Sequence, residues 1–367
     1  MNFDQLITLF QATHTTIQNQ ALRSVDIDLV IRNWLFGWYL IEFEQHGHDR
    51  AKYGKRTLQE LSDILTGKIG RGFSVDNLEL MRRLFLGYQD IIQGTNNSET
   101  LFRNLEEGTT EISSKLSLNL QTVVLQLKGY FKLGWSHYVT LLSLKNNDER
   151  NFYEIETVAN SWSIRELKRQ MASSLYERLA LSRDKNQILD LSKQGLAITS
   201  PADIIKNPYV LEFLGLPEHY TYSEHDLETA IIDKLEHFLL ELGKGFLFEA
   251  RQKRFTFEDD HFYVDLVFYN RLLHCYVLID LKRDKLTHQD LGQMQMYVNY
   301  FDRYIKTETE SPTIGIVLCH QKHDALVELT LPKGSNIYAS EYQLYLPSKE
   351  ELRQRLLEWS AGEDNGK

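Results

Sequence analysis

The run YVDLVFYNRLLHCYVLIDLKRDK, residues 263–285, limits the possible folds more than any other part of the chain. Two stretches rich in aliphatic, β-branched and aromatic residues flank Asn270-Arg271-Leu272, a connection short enough for an antiparallel hairpin. Asp265 interrupts the first stretch; Asp280 and Lys282 interrupt the second. Side chains alternate between the faces of a strand, so Asp280 and Lys282 point together while Leu281 faces the other way. The hairpin can set Asp265 on the strand beside Asp280. A carboxylate buried without a partner costs several kcal/mol, and a second one facing it adds to the cost. A divalent cation removes that penalty, and oxygen ligands from Asp265 and Asp280 suit Mg²⁺, with Mn²⁺ as a substitute.

The flanking segments supply the rest of an α/β core. A helix opens at Ser223 and ends at Gly243, followed by strand-like runs over 246–257, 261–269 and 273–282. A second helix covers 287–305 and a further buried strand 313–319. The order is αβββαβ, a mixed sheet flanked by helices. In the first helix Leu227, Ile231, Leu235, Phe238 and Leu242 form the apolar stripe, with Glu228 at its edge. In the second, Gln293 and Tyr297 lie four residues apart and share a face beside the stripe of Leu291, Met294, Val298, Phe301 and Ile305.

The first half of the chain reads as mostly helical, with apolar residues at helical spacing over 4–20, 26–44, 57–66 and 75–92. QGTNNSET, residues 93–100, reads as a turn-prone break, and Ser163 with Glu166 has the form of a capping box that opens a helix to about Leu179. The segment 67–85, GKIGRGFSVDNLELMRRLF, pairs a glycine-rich turn with a helix, as in a helix-turn-helix or winged-helix unit. Its second helix would present Asp76, Asn77, Arg82 and Arg83. Pro201, Pro208 and Pro217, half of the six prolines, fall close together. They mark a boundary between a helical domain over 1–200 and an α/β domain over 201–367, an α+β chain overall.

A net charge of −10 argues against a general nucleic-acid coat protein, but a local basic surface is compatible with it. Between Arg50 and Arg83 stand eight basic residues, among them Lys52, Lys55, Arg56 and Arg71, against four acidic ones. Arg71, Asn77, Arg82 and Arg83 are the candidate nucleic-acid contacts. Cys275 and Cys319 sit in apolar strand-like runs and read as reduced core residues. No basic-then-apolar leader and no apolar run of about 18 residues is present, so the chain reads as cytoplasmic, with no membrane partner.

Asp265 followed across a hairpin by Asp280-Leu281-Lys282, inside the αβββαβ order, resembles the PD-(D/E)XK nuclease superfamily. The whole chain resembles the YhcG-like family, in which an N-terminal helical, winged-helix-like domain precedes a restriction-endonuclease-like domain. The matching stretches are RAKYGKRTLQELS with GRGFSVDNLELMRR, SWSIRELKRQMASSLYERLALS, NPYVLEFLGLP, and LLELGKGFLFEARQKRF through GQMQMYVNYFD. The resemblance implies that Asp265 and Asp280 are metal ligands, Lys282 the catalytic lysine and Glu228 the acid of the first core helix. Gln293 and Tyr297 match the Q-x-x-x-Y pattern of several branches. Val264 stands where the superfamily motif has Pro, and Asp280 where relatives usually carry Glu. The activity so implied is metal-dependent endonucleolytic hydrolysis of DNA, in DNA processing or defence against foreign DNA; the alternatives are a non-catalytic nucleic-acid-binding or assembly module and a hydrolase of RNA. A two-strand cut by a single-site enzyme makes a homodimer plausible, and the N-terminal domain would bind DNA or a protein partner.

Overall fold

The computed structural model describes residues 3–20, 25–46, 57–93, 123–125, 127–181, 185–216, 222–257, 259–332, 334–352 and 354. Of the sequence features above, Arg50, Lys52, Lys55, Arg56 and Pro217 and the break at 94–100 lie outside the described residues. The chain divides into two compact units, Met1–Leu167 and Lys168–Lys367.

The first unit is helical: α1 Phe3–Gln20, α2 Val25–His46, α3 Thr57–Lys68, α4 Val75–Gly87, α5 Asp90–Gln93, α6 Trp135–Leu141 and α7 Asn147–Asn160. Its core is aromatic, with Phe10 stacked on Phe36 at 4.1 Å and Phe73 packed against both, capped by the Arg32 guanidinium 5.5 Å above the Phe36 and Phe73 rings. Helices α2 and α4 cross at Gly37, where a Cβ would lie 2.1 Å from the Met81 carbonyl oxygen, so only glycine permits the approach. The turn between α3 and α4 uses Gly70 and Gly72 at positive φ, and Ser74 caps α4 by accepting from the Asn77 N–H. This is a helix–turn–helix; among the described residues the unit contains no strand that could serve as a wing. Among the described residues no helix is long and apolar enough to cross a membrane.

A short helix α8, Ile164–Ala172, straddles the division, and α9 Leu175–Ala180 and α10 Lys185–Gln194 follow it. Ser174 at φ 52° breaks what reads in the sequence as one helix to Leu179. The break turns Arg178 inward. Its guanidinium, fully buried, bonds Glu241 Oε1 at 2.5 Å and the carbonyls of Ser173 and Pro208. Arg169 and Lys206 also reach Glu241. Burial alone would raise that carboxyl, but Arg178, Lys206 and Arg169 hold it at about 2.

The rest of the second unit is a six-stranded sheet in the order β1-β6-β5-β4-β3-β2. β2 Phe246–Phe257, β3 Asp260–Asn270 and β4 Cys275–Lys285 form antiparallel pairs; β5 Ile314–Gln321, β6 Ile337–Gln343 and β1 Tyr209–Val210 continue in parallel. The expected αβββαβ order is present, and β1 and β6 extend it on the far side of β5. One layer, α11 Glu224–Asp233 and α12 Leu235–Leu242, covers one face. The single helix expected over 223–243 breaks at Lys234, where φ is −117° and ψ 29°. Leu227, Ile231 and Phe238 from this layer pack with Leu266, Phe268, Ile279, Leu281 and Ile316. On the other face α13, His288–Tyr300, packs Leu291, Met294, Tyr297 and Val298 against Val267, Leu278, Val317 and Cys319. A Cβ on Gly315 would meet Met294 at 2.6 Å, so the glycine sets how closely α13 lies on β5. Cys275 and Cys319 are buried free thiols, and burial first pushes them up to about 11 and about 12.

Candidate active site

The two central antiparallel strands part company where the carboxylates stand. The β3–β4 ladder runs from Asn270↔Cys275 to Leu266↔Ile279 and stops there. Continued by one step, the register would set Asp265 opposite Asp280. In place of a backbone partner on β3, the N–H of Leu281 donates to Asp265 Oδ2 at 2.8 Å. β4 meanwhile stays paired on its other side, with Asp280 beside Val317 and Lys282 beside Cys319 of β5. Asp280 is thus held on a fully packed central strand, with 2 % of its surface exposed.

The electrostatics follow from that placement. Burial raises the Asp280 carboxyl, the nearby charge of Asp265 raises it further, and Lys282 only partly offsets them, leaving it at about 7. Lys282 Nζ stands 3.0 Å from Asp280 Oδ2, yet that oxygen receives no hydrogen bond of normal geometry. Burial would lower the Lys282 ammonium, but Asp280 beside it, with Glu224 at 3.8 Å and Asp265, raises it instead. Asp265, Asp280 and Lys282 are therefore neighbours at one end of the sheet.

Glu228, buried on α11, reaches the same end from the other layer. Its Oε1 accepts from Arg251 Nε at 2.9 Å and its Oε2 from Gln252 Nε2 at 2.6 Å. Gln252 Nε2 also donates to Asp265 Oδ1 at 3.0 Å, so one amide ties the helix acid to the strand acid. Gln252 takes φ 46°, a left-handed conformation unusual for a residue with a side chain, in a strand whose register already shifts between Phe248 and Ala250. Neither Gln252 nor Arg251 stands out in the sequence. On α13, Gln293 Nε2 donates to Tyr297 Oη at 2.5 Å. Burial, then the charge of Asp280, pushes the Tyr297 hydroxyl up to about 12.

The residue set fits a cation. A buried carboxylate oxygen without a hydrogen bond, on a carboxyl that burial and then a second carboxylate raise, is what a divalent ion would relieve. No group of three His, Cys, Asp or Glu side chains converges among the described residues, so the protein offers a two-carboxylate site and not a full cage.

In the first unit the sequence candidates are mostly engaged with their own unit. Arg82 pairs with Glu44 and Glu79, Arg83 donates to the Leu142 carbonyl, and Asn77 donates to the Gly72 carbonyl. Arg71 is exposed at the α3–α4 turn.

Comparison with known proteins gives matches to both halves of the chain. Residues 202–357 match the family model of the YhcG PDDEXK nuclease domain, and residues 11–178 that of the DUF1016 N-terminal domain. The Escherichia coli (strain K12) protein named "Putative nuclease YhcG" is 38% identical over 369 residues, spanning 99% of this chain and 95% of that protein. A repair endonuclease from Pyrococcus abyssi aligns with 36% of this chain and 50% of its own at 18% identity and a TM-score of 0.24, a likeness on which nothing further rests.

Proposed function

From the premise that the chain belongs to the YhcG family of PDDEXK-type nucleases, we propose that it is a divalent-metal-dependent endonuclease that hydrolyses DNA phosphodiester bonds. The observation that carries the reading is that Asp265 and Asp280 stand near each other just past the last β3–β4 pair, with the Lys282 ammonium 3.0 Å from Asp280.

Asp265 and Asp280 would hold Mg²⁺, or Mn²⁺ in its place, and the bound ion would supply an acidified water and neutralise charge on the phosphoryl group. The chain's own groups do the rest. Gln252 and the Leu281 N–H fix both oxygens of Asp265, so its position does not depend on substrate. Lys282, with its proton affinity raised by Asp280, remains an ammonium and serves as a fixed charge toward the phosphoryl oxygens, not as the base. Tyr297 also stays protonated; its oxygen accepts from Gln293, leaving its hydrogen to donate to a phosphate. Glu228 acts through Gln252 and Arg251, holding the Asp265 side of the site in place.

The helical N-terminal unit, with its helix–turn–helix, is the DNA- or partner-binding part, and Arg71, exposed at the turn, is its candidate phosphate contact. A cytoplasmic role in DNA processing or defence against foreign DNA, with a homodimer for two-strand cuts, completes the reading. The test is direct: the purified full chain, given plasmid and linear DNA, cuts with Mg²⁺ or Mn²⁺ and not with EDTA. Asp265→Ala and Lys282→Ala, still folded by circular dichroism, do not cut. Wild type that binds DNA but cuts nothing across metals and substrates would turn the assignment into the non-catalytic binding module.

A further inference from the structure

The aromatic residues beside the candidate active site do not end at Tyr297. Its ring meets Phe255 edge-on at 5.5 Å, and Phe255 stacks on Tyr300 at 4.1 Å. Beyond Tyr300 a cleft of about 430 Å³ opens between the end of β2 and the outer flank of α13. That volume lies within the about 300–1,000 Å³ range of small-ligand sites. Phe257 and Tyr304 line it with 56% and 63% of their surfaces exposed, an uncommon use of large aromatic groups. Gln295, whose Nε2 donates to Asn299 Oδ1 at 3.2 Å, Asn299 and the guanidinium of Arg303 line the same cleft. Arg303 has no carboxylate partner among the described residues.

Resting on the nuclease reading, we propose that this cleft is a base-stacking subsite for an unpaired nucleotide of the DNA strand being cut, so that the preferred substrate carries a single-stranded stretch. Aromatic faces take any base by stacking, amides can reach base edges, and a free guanidinium answers the adjoining phosphate. Continuity along α13 from Tyr297 to Tyr300, and into the helical turn Phe301–Ile305 that carries Tyr304, puts the cleft on the path of a strand lying in the candidate site. Asp259 and Asp260 at the β2–β3 turn disfavour a run of phosphates past Phe257, but not a neutral planar base. A duplex would keep its bases stacked on one another and could not use these side chains.

The experiment uses the full chain in EDTA with two probes carrying 2-aminopurine: a single-stranded oligodeoxynucleotide and the matching duplex. Wild type quenches the single-stranded probe and binds it; the double variant Phe257→Ala/Tyr304→Ala binds it about 5- to 150-fold more weakly, from the usual worth of one stacked base. Duplex binding and the melting temperature stay unchanged, because both side chains are exposed. Arg303→Gln lowers the slope of log affinity against log salt by about 0.7, one phosphate contact on a single strand. In Mg²⁺, wild type cuts a duplex bearing a single-stranded flap faster than a blunt duplex, and the double variant loses that preference while still cutting the duplex. Equal affinity of wild type and double variant for the single-stranded probe overturns the proposal and leaves the cleft to a protein partner. A wild type that cuts no DNA at all overturns the nuclease reading instead, whatever the probe shows.

Discussion

Replacing Asp280 by Asn should make the metal-free protein more stable, an unusual result for a buried residue on a central strand. At about 1.4 kcal/mol for each tenfold change in proton affinity, a carboxyl held at about 7 instead of its ordinary 3.8 carries a charging cost of about 4 kcal/mol. That value already counts the attraction of Lys282, and a side chain 2 % exposed has little solvent to screen it. The sign follows from linkage. Between pH 4 and 7 the folded protein keeps a proton that the unfolded chain has released, so stability falls as pH rises through that window, and above pH 7 the full cost is present. Asn cannot ionise and escapes the cost. At about 2–4 °C per kcal/mol for a unit of this size, Asp280→Asn in EDTA should melt on the order of 10 °C higher than wild type at pH 8.5. At pH 5 the gain should shrink to about a third of that. Saturating Mg²⁺ should raise wild-type melting at pH 8.5, by about 2.7 kcal/mol at a hundredfold excess over its dissociation constant, and leave Asp280→Asn unmoved. Scanning fluorimetry across pH reads all of this. A variant that melts below wild type at pH 8.5, or a gain that is the same at every pH, refutes the argument from facing carboxylates.

Three further outcomes follow from the packing. Arg178→Ala leaves Glu241 buried with Arg169, the nearby charge of Lys206 and the Val210 N–H, and should cost about 3–5 kcal/mol at pH 7 by denaturant unfolding; the loss should be smaller near pH 4, where the freed carboxyl takes up a proton. Gly37→Ala drives a Cβ into the Met81 carbonyl and should cost about 1–3 kcal/mol, seen as a lower midpoint of the first unit. Gln252→Gly relieves a left-handed backbone worth about 1–2 kcal/mol, while it removes the amide shared by Glu228 and Asp265. It should therefore keep or raise the melting temperature and lower kcat; a variant that cuts as fast as wild type shows the bridge to be dispensable.

How far the sequence carries is visible residue by residue. The apolar runs of β3, β4 and β5 are legible because strands buried on both faces admit almost no polar residue. For the same reason Asp265, Asp280 and Lys282 stand out. β1 is two residues long and β6 reads IYASEYQ, with too little pattern to be seen without the partner strands that hold them. The breaks at Ser174 and Lys234 come from tertiary demands, one of which turns Arg178 onto Glu241, and no local signal marks them. Gln252 was invisible for a subtler reason. Its place opposite Asp265 depends on the register shift after Phe248, and counting residues along an unbroken strand would not give it that place.

The same geometry explains why the carboxylates can be where they are. An intact β3–β4 ladder would press Asp265 against Asp280 with backbone partners satisfied on both sides, and nothing would remain to fix either carboxylate's orientation. Ending the ladder at Leu266↔Ile279 frees one strand N–H, that of Leu281, which clamps Asp265, while the parallel pairing to β5 keeps Asp280 rigid. One acid is thus held by hydrogen bonds, while the other is held by packing and keeps one oxygen, 3.0 Å from Lys282 Nζ, without a hydrogen bond. That asymmetry is what a cation needs: a fixed charge to enter against and an unspent ligand to complete its shell. It predicts that the two acids differ in kind when changed. Asp265→Asn, which keeps the acceptor for Leu281 but must turn an amide N–H toward either that N–H or Gln252, should lose stability as well as metal binding. Asp280→Asn should lose metal binding alone, and calorimetric Mg²⁺ titration beside melting curves of both variants separates the cases.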